Sequence, residues 1–142
     1  MIFGKKTSKK KNAIVVGSGE LGSRIAGDLS LEDWDVVVID SNRNSFKTLP
    51  SYFGGSVINA YGTDLEKLEE AGIKEANLFV ATTDSDEVNI VASQIAKSVY
   101  GVESVFTRIR DQEKTELCEK YSIMTICPPS LSINEIKKYL ER

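Results

Sequence analysis

The chain predicts an α/β domain built on a doubly wound, parallel six-stranded sheet. Three observations lead there. Short, unbroken apolar runs recur along the 142 residues, and such runs suit strands covered on both faces. Segments with helical apolar spacing stand between them. A glycine-rich turn, Gly17-Ser18-Gly19-Glu20-Leu21-Gly22, joins the first apolar run to the first helical segment. Right-handed crossovers convert this alternation into one sheet with helices on both faces.

The first strand is read at 13–16, and Leu21, Ile25, Ala26 and Leu29 then recur at helical spacing. Residues 35–39 form the second strand. A short helix over 42–49 stops before Pro50, because the residue preceding proline avoids the helical region. Residues 56–59 make a third, weaker strand. Thr63 is expected to cap the next helix, with Glu66 completing a capping box. Leu65, Leu68 and Ala71 form its apolar side and Gly72 stops it. The fourth strand spans 78–81. A long helix over 85–100 presents Val88, Val91, Ala92, Ile95 and Val99 and ends at Gly101. The fifth strand spans 104–109. Asp111 caps a helix in which Leu117, Cys118 and Tyr121 are expected to face inward. Residues 124–127 are the sixth strand, broken by Pro128-Pro129. Ser132 and Glu135 form a second expected capping box, opening an additional C-terminal helix with Ile133, Ile136 and Leu140 as its stripe. The glycine turn after the first strand selects a Rossmann-like strand order, 3-2-1-4-5-6. The last helix lies beyond a complete sheet. It either covers the final strand or docks on another subunit.

Charge is uneven. Lys5, Lys6, Lys9, Lys10 and Lys11 crowd the start, yet the whole chain has a formal net charge of -3. Residues 1–11 are expected to be a solvated, disordered tail, and 12–142 one domain. The sharper alternative for the tail is weak attraction to anionic lipid or an acidic partner. An acidic body argues against nucleic acid as a partner, since phosphate contacts need clustered Lys and Arg. No apolar run approaches the ~20 residues of a membrane span, and the start is too short for a signal peptide. A cytoplasmic location without direct membrane insertion is expected. Cys118 and Cys127 form no CxxC, and histidine is absent. That leaves too few soft ligands for zinc, and buried free thiols are the better reading.

The candidate binding residues cluster at strand ends. Gly17 permits a tight turn, Gly19 lets backbone approach a phosphate, and Gly22 lets the helix pack close to the sheet. The amides opening that helix favour an anion. Asp40 lies 18 residues after Gly22, where a carboxylate can accept both hydroxyls of an adenosine ribose. Thr63 and Asp64 follow the third strand, Thr82, Thr83, Asp84 and Asp86 the fourth, and Arg108 and Arg110 end the fifth. Each has two open readings. The acids and Thr63 serve as helix caps or touch ligand. Arg108 pairs with an acid or clamps phosphate. Asp84, Asp86 and Glu87 lack EF-hand spacing, so capping and solvation are preferred over metal binding.

Catalytic groups are not evident. There is no histidine, no Tyr followed four residues later by Lys, and no Walker A lysine. Val15 stands where a methyltransferase would usually carry an acid, and Gly17 where a receiver domain would. The chain reads as a nucleotide site without chemistry, and a non-enzyme is expected.

Longer motifs are more specific. Residues 13–22 with the strand ending at Asp40, then Ala-Tyr-Gly-Thr-Asp-Leu-Glu-Lys-Leu-Glu-Glu-Ala-Gly-Ile, Phe-Val-Ala-Thr-Thr-Asp-Ser-Asp-Glu-Val-Asn-Ile and Phe-Thr-Arg-Ile-Arg-Asp, resemble the TrkA N-terminal domain, also called RCK or KTN. The resemblance covers 12 to about 140. It implies a cytosolic regulatory subunit of a potassium channel or Trk/Ktr-type transporter. Such a subunit binds NAD(H) or adenine nucleotides and assembles with like subunits into rings beneath a membrane pore. By resemblance, Gly17, Gly19 and Gly22 hold phosphates, with Ser18, Glu20 and Leu21 in the same loop. Asp40 holds the ribose with Ser41 beside it, and Asp64 lies near adenine. Thr82 and Thr83 line the crevice, and Arg108 reaches phosphate. Many members carry Arg where this chain has Glu20. A carboxylate there repels a triphosphate, so NAD(H), AMP or ADP is expected ahead of ATP. By resemblance the chain is expected to be a free-standing N-lobe, without the C-terminal TrkA domain that usually follows. The residue-level alternatives are an NAD-dependent oxidoreductase and a nucleotide-stabilised scaffold.

Overall fold

A computed structural model describes residues 10–141. Six parallel strands form one sheet in the order β3-β2-β1-β4-β5-β6, as expected. They are β1 (Asn12–Val16), β2 (Asp35–Asp40), β3 (Ser56–Asn59), β4 (Leu78–Ala81), β5 (Ser104–Arg108) and β6 (Met124–Ile126). The helices are α1 (Glu20–Leu31), α2 (Leu65–Glu70), α3 (Asp86–Gln94), α4 (Thr115–Glu119) and α5 (Pro128–Leu140).

The central strands are apolar on both faces because both are covered. On one side, Ile14, Val16, Phe79 and Val105 pack with Leu68, Ile90, Ala96 and Ile123. On the other, Ala13, Val15, Val36 and Val38 pack with Ala26, flanked by Trp34, Phe46 and Phe53. Asp35 N donates to Lys11 O at 2.8 Å, which extends the β1 edge. Most of the expected tail, residues 1–9, lies outside the described residues. Lys10 and Lys11 do not belong to a free tail. Lys10 lies 3.3 Å from Asp35 and Lys11 stands over the Trp34 ring at 5.5 Å.

Several local expectations are corrected. The 42–49 segment is a 3-10 helix, Arg43–Thr48, capped by Asn42, whose side chain accepts from Asn44 N. Asp64, not Thr63, caps α2, its carboxylate accepting from Lys67 N. The turn 61–64 closes first, with Asp64 N donating to Tyr61 O at 3.1 Å, and this moves the cap one residue on. Gly72 does end the helix, at φ 89°.

Of the apolar face expected on the 85–100 helix, Val88, Val91 and Val99 are exposed, whereas Ala92 is buried and Ile95 packs half-buried against the core. Asn89, Ile90, Ser93 and Ala96 are buried beside them. The inner polar groups that pay for this are saturated by hydrogen bonds at the strand ends, except Ser93 Oγ. A π-helical turn over Ile95–Val99 then shifts the helical phase. On α4, Cys118 is buried but Leu117 and Tyr121 face out. The proline pair starts α5 as well as ending β6, because proline suits the first helical positions. The Ser132–Glu135 capping box therefore falls inside a helix. No described residue of α5 is buried, and Leu131, Ile133, Ile136, Tyr139 and Leu140 are all exposed. Among the described residues, no helix is long and apolar enough to cross a membrane.

Candidate functional site

The carboxyl ends of β1, β2, β4 and β5 open into one cleft of about 710 Å³. Its position follows from topology. The crossovers from β1 and β4 go to opposite sides, so the loops part there.

The glycine turn forms its floor. Gly17 adopts φ 103°, in the left-handed region. A Cβ on Gly22 would lie 1.9 Å from Gly17 O and 2.5 Å from Thr82 Oγ1, so α1 presses directly on the loop. A Cβ on Gly19 would meet nothing within 4 Å. The motif is therefore tight at its ends and open in the middle. Gly19, Glu20 and Leu21 line the cleft and head α1. Amides of a first helical turn lack intrahelical acceptors and are available to an anion.

Asp40 organises the loop. Its Oδ2 accepts from Ser18 N at 2.7 Å and its Oδ1 from Asn42 N at 2.8 Å. Each carboxylate oxygen keeps a further lone pair, so the group can still accept from a ligand's hydroxyls. Ser18 is itself buried and its hydroxyl donates to Ser45 O at 3.1 Å. Ser41 lines the cleft beside Asp40.

The opposite wall is Thr82, Thr83 and Arg108. Thr82 Oγ1 sits 3.0 Å from Val16 O and 3.2 Å from Gly17 O, so its hydroxyl ties β4 to the glycine turn. Thr83 Oγ1 donates to Asn89 Oδ1 at 2.7 Å. Asn89 is fully buried, and its amide donates to Thr83 O and Arg108 O. This side chain fixes the ends of β4 and β5 together. Arg108 Nη1 donates to Thr83 O at 3.3 Å and lies 3.7 Å from Asp84 Oδ1. Arg110 Nη2 approaches the same Asp84 oxygen at 3.0 Å.

The remaining acids are occupied structurally. Asp86 accepts from the amides of Arg110 and Asp111, at 2.9 and 3.0 Å. Burial pushes its carboxyl up. Those amides and the charges of Lys114 and Arg110 outweigh burial and hold it below the usual value. Glu87 pairs with Lys114. Among the described residues no group of three or more His, Cys, Asp or Glu could hold a metal ion. Cys118 and Cys127 are buried free thiols, and burial raises the Cys118 thiol.

Of the expected site residues, Gly17, Gly19, Glu20, Leu21, Asp40, Ser41, Thr82, Thr83 and Arg108 meet at the cleft. Ser18 and Gly22 lie beneath it, buried, and shape it. Asp64 does not line it and caps α2. Sequence reasoning missed Val16, Ile39, Asn42, Ser45, Ala60, Tyr61, Val88 and Pro128 on the lining. None carries a charge, and Ala60, Tyr61 and Val88 stand in the longer motifs without a binding role assigned to them. Asn89 had a usable signal, being an amide on the turn of α3 that faces the sheet.

The open Gly19, the closed Gly17–Gly22 contact and the acid at the end of β2 fit a dinucleotide or mononucleotide. A family model, the TrkA-N domain, matches residues 13–129. A Trk system potassium uptake protein TrkA of Streptomyces coelicolor is 38% identical over 113 residues, 80% of this chain and 51% of that protein. A TrkA homologue of Pyrococcus horikoshii is 32% identical over 133 residues, 89% of this chain and 58% of that one. The chain thus spans little more than half the length of these relatives. In structure it is similar to the TrkA-N domain of inner membrane protein ybaL from Escherichia coli, with TM-score 0.81 and 16% identity over 94% of this chain and 99% of that one. It is also similar to the GsuK channel bound to NAD, with TM-score 0.78 and 19% identity over 96% of this chain and 24% of that one. GsuK bound to ADP gives TM-score 0.76 and 20% identity over 92% and 34%.

Proposed function

The chain belongs to the TrkA-N domain family, and from that premise we propose that it is a nucleotide-sensing regulatory domain of a potassium channel or Trk/Ktr-type potassium transporter. The observation that carries the proposal is the pairing of the open Gly19 backbone with the Asp40 carboxylate in one cleft. On this reading the α1 amides and Arg108 hold phosphate, and Asp40 accepts the ribose hydroxyls. Glu20 lines the cleft. Its charge disfavours a triphosphate, so NAD(H), AMP or ADP is the ligand class and ATP the weaker one. The NAD and ADP complexes of GsuK support that class.

The domain works at the inner face of the membrane through a partner that contains the pore. Like subunits assemble with it, in homo- or hetero-oligomers. The exposed stripe of α5 supports this assembly, since an apolar helix face in water is costly. Nucleotides regulate only by binding two assembly states with different affinity.

Mass spectrometry of nucleotide retained by natively purified protein tests the ligand class. Retained NAD(H), AMP or ADP is expected. Sustained hydride transfer across a carbonyl panel would replace the sensor with an NAD-dependent oxidoreductase. Identical assembly geometry with NAD, NADH, ADP and ATP would reduce it to a nucleotide-stabilised scaffold.

A further inference from the structure

We infer that Tyr61 is a base-binding residue of the cleft, whose ring stacks on the base of the bound nucleotide. This rests on the nucleotide reading above. The ribose end of the cleft is marked by Asp40 at the end of β2. With phosphate on the α1 side, the base must continue past Asp40, away from Gly19. The next strand in that direction is β3. The chain leaving β3 is Ala60-Tyr61-Gly62, and all three residues line the cleft. Ala60 N donates to Asp40 O at 3.1 Å, so this segment abuts the ribose-binding acid.

The segment is held rigidly. Gly62 is buried, and a Cβ there would lie 2.4 Å from Val16 Cγ1. Asp64 N donates to Tyr61 O, closing the turn. Tyr61 therefore projects from a fixed backbone, yet its side is 70% exposed. It is the one aromatic among the described lining residues. Ser41 and Asn42, on the neighbouring wall, offer small polar groups. A large ring left in water at the base end of a nucleotide cleft gains most by stacking on a planar base.

Calorimetric titration of the full chain with AMP and with ribose 5-phosphate tests this. The wild type, Tyr61→Phe and Tyr61→Ala are compared. Tyr61→Ala should weaken AMP about 5- to 150-fold, the range of one base–aromatic stack. Tyr61→Phe should keep AMP affinity within about twofold, since the ring is retained. Ribose 5-phosphate, which lacks a base, should bind all three alike. Unchanged AMP affinity in Tyr61→Ala would overturn the inference. So would equal loss of both ligands, which would make Tyr61 a loop support. If the wild type bound neither ligand, the nucleotide reading itself would fall, and this inference with it.

Discussion

Two glycines of one motif should respond oppositely to the same added methyl group. At Gly22 the new Cβ would stand 1.9 Å from Gly17 O and 2.5 Å from Thr82 Oγ1. Non-bonded contacts settle near ~3.5 Å, so about 1.5 Å must be found by moving α1 or the loop. The loop cannot yield freely, because Gly17 N donates to Ile39 O at 2.8 Å and Ser18 N to Asp40. Such overpacking costs about 1–3 kcal/mol, and a domain of this size loses about 2–4 °C of Tm per kcal/mol. Gly22→Ala should therefore melt about 2–12 °C lower and bind AMP poorly. At Gly19 the Cβ would meet nothing, and φ -80° suits any residue. Lower unfolded-state entropy favours Ala there by about 0.4–1 kcal/mol, while Ala is the poorer N-cap by a similar amount. Gly19→Ala should keep its Tm within about 4 °C and still lose AMP affinity, at least about tenfold, because the methyl occupies the ligand's approach. Thermal melts without ligand and calorimetric titration with AMP separate these effects. A Gly19→Ala variant that binds AMP like wild type would refute the close approach. A Gly22→Ala variant as stable as wild type would refute the helix–loop contact.

Other residues give independent checks. Asp40→Ala should weaken AMP by roughly 1–3 kcal/mol, read by calorimetry, and unchanged affinity would remove Asp40 from the site. Arg108→Gln should weaken ADP more than adenosine, and equal losses would deny a phosphate contact. Asn89→Ala should destabilise by about 2–4 kcal/mol in urea melts, since it strips partners from Thr83 and from Arg108 O. Asp86 has its carboxyl held below the ordinary 3.8. Its contribution is present above that pH and is lost as pH falls through the lower folded value. Urea melts from pH 6 to pH 3 should show Asp86→Asn losing less stability on acidification than wild type. Parallel curves would contradict the assignment.

The apolar runs of β1, β2 and β4 were legible because strands covered on both faces need no alternation, and the glycine turn told where the first helix begins. Asp40 was legible by spacing alone. The faces of α3 and α4 were legible only in part, at Ala92, Ile95 and Cys118. Apolar periodicity names a stripe, but it cannot say that buried Asn89 and Asp86 will be satisfied by Thr83, Arg110 and Asp111. Those partners lie in the loops that follow β4 and β5. The caps of α2 and α5 failed for a similar reason, since each depends on where the preceding turn closes.

What the chain order determined by itself was the alternation, the strand sequence, the family and the glycine–acid pair. These rest on local patterns of residues close in sequence. What only the tertiary structure decided was the use of each polar group. Asp64 went to a helix cap, Thr82 to bracing the glycine turn, and Asn89 to joining two strand ends. Tyr61, part of a quoted motif but without a role in it, came to the cleft wall. A polar side chain takes whichever partner the fold brings within reach, and parallel crossovers bring together groups dozens of residues apart.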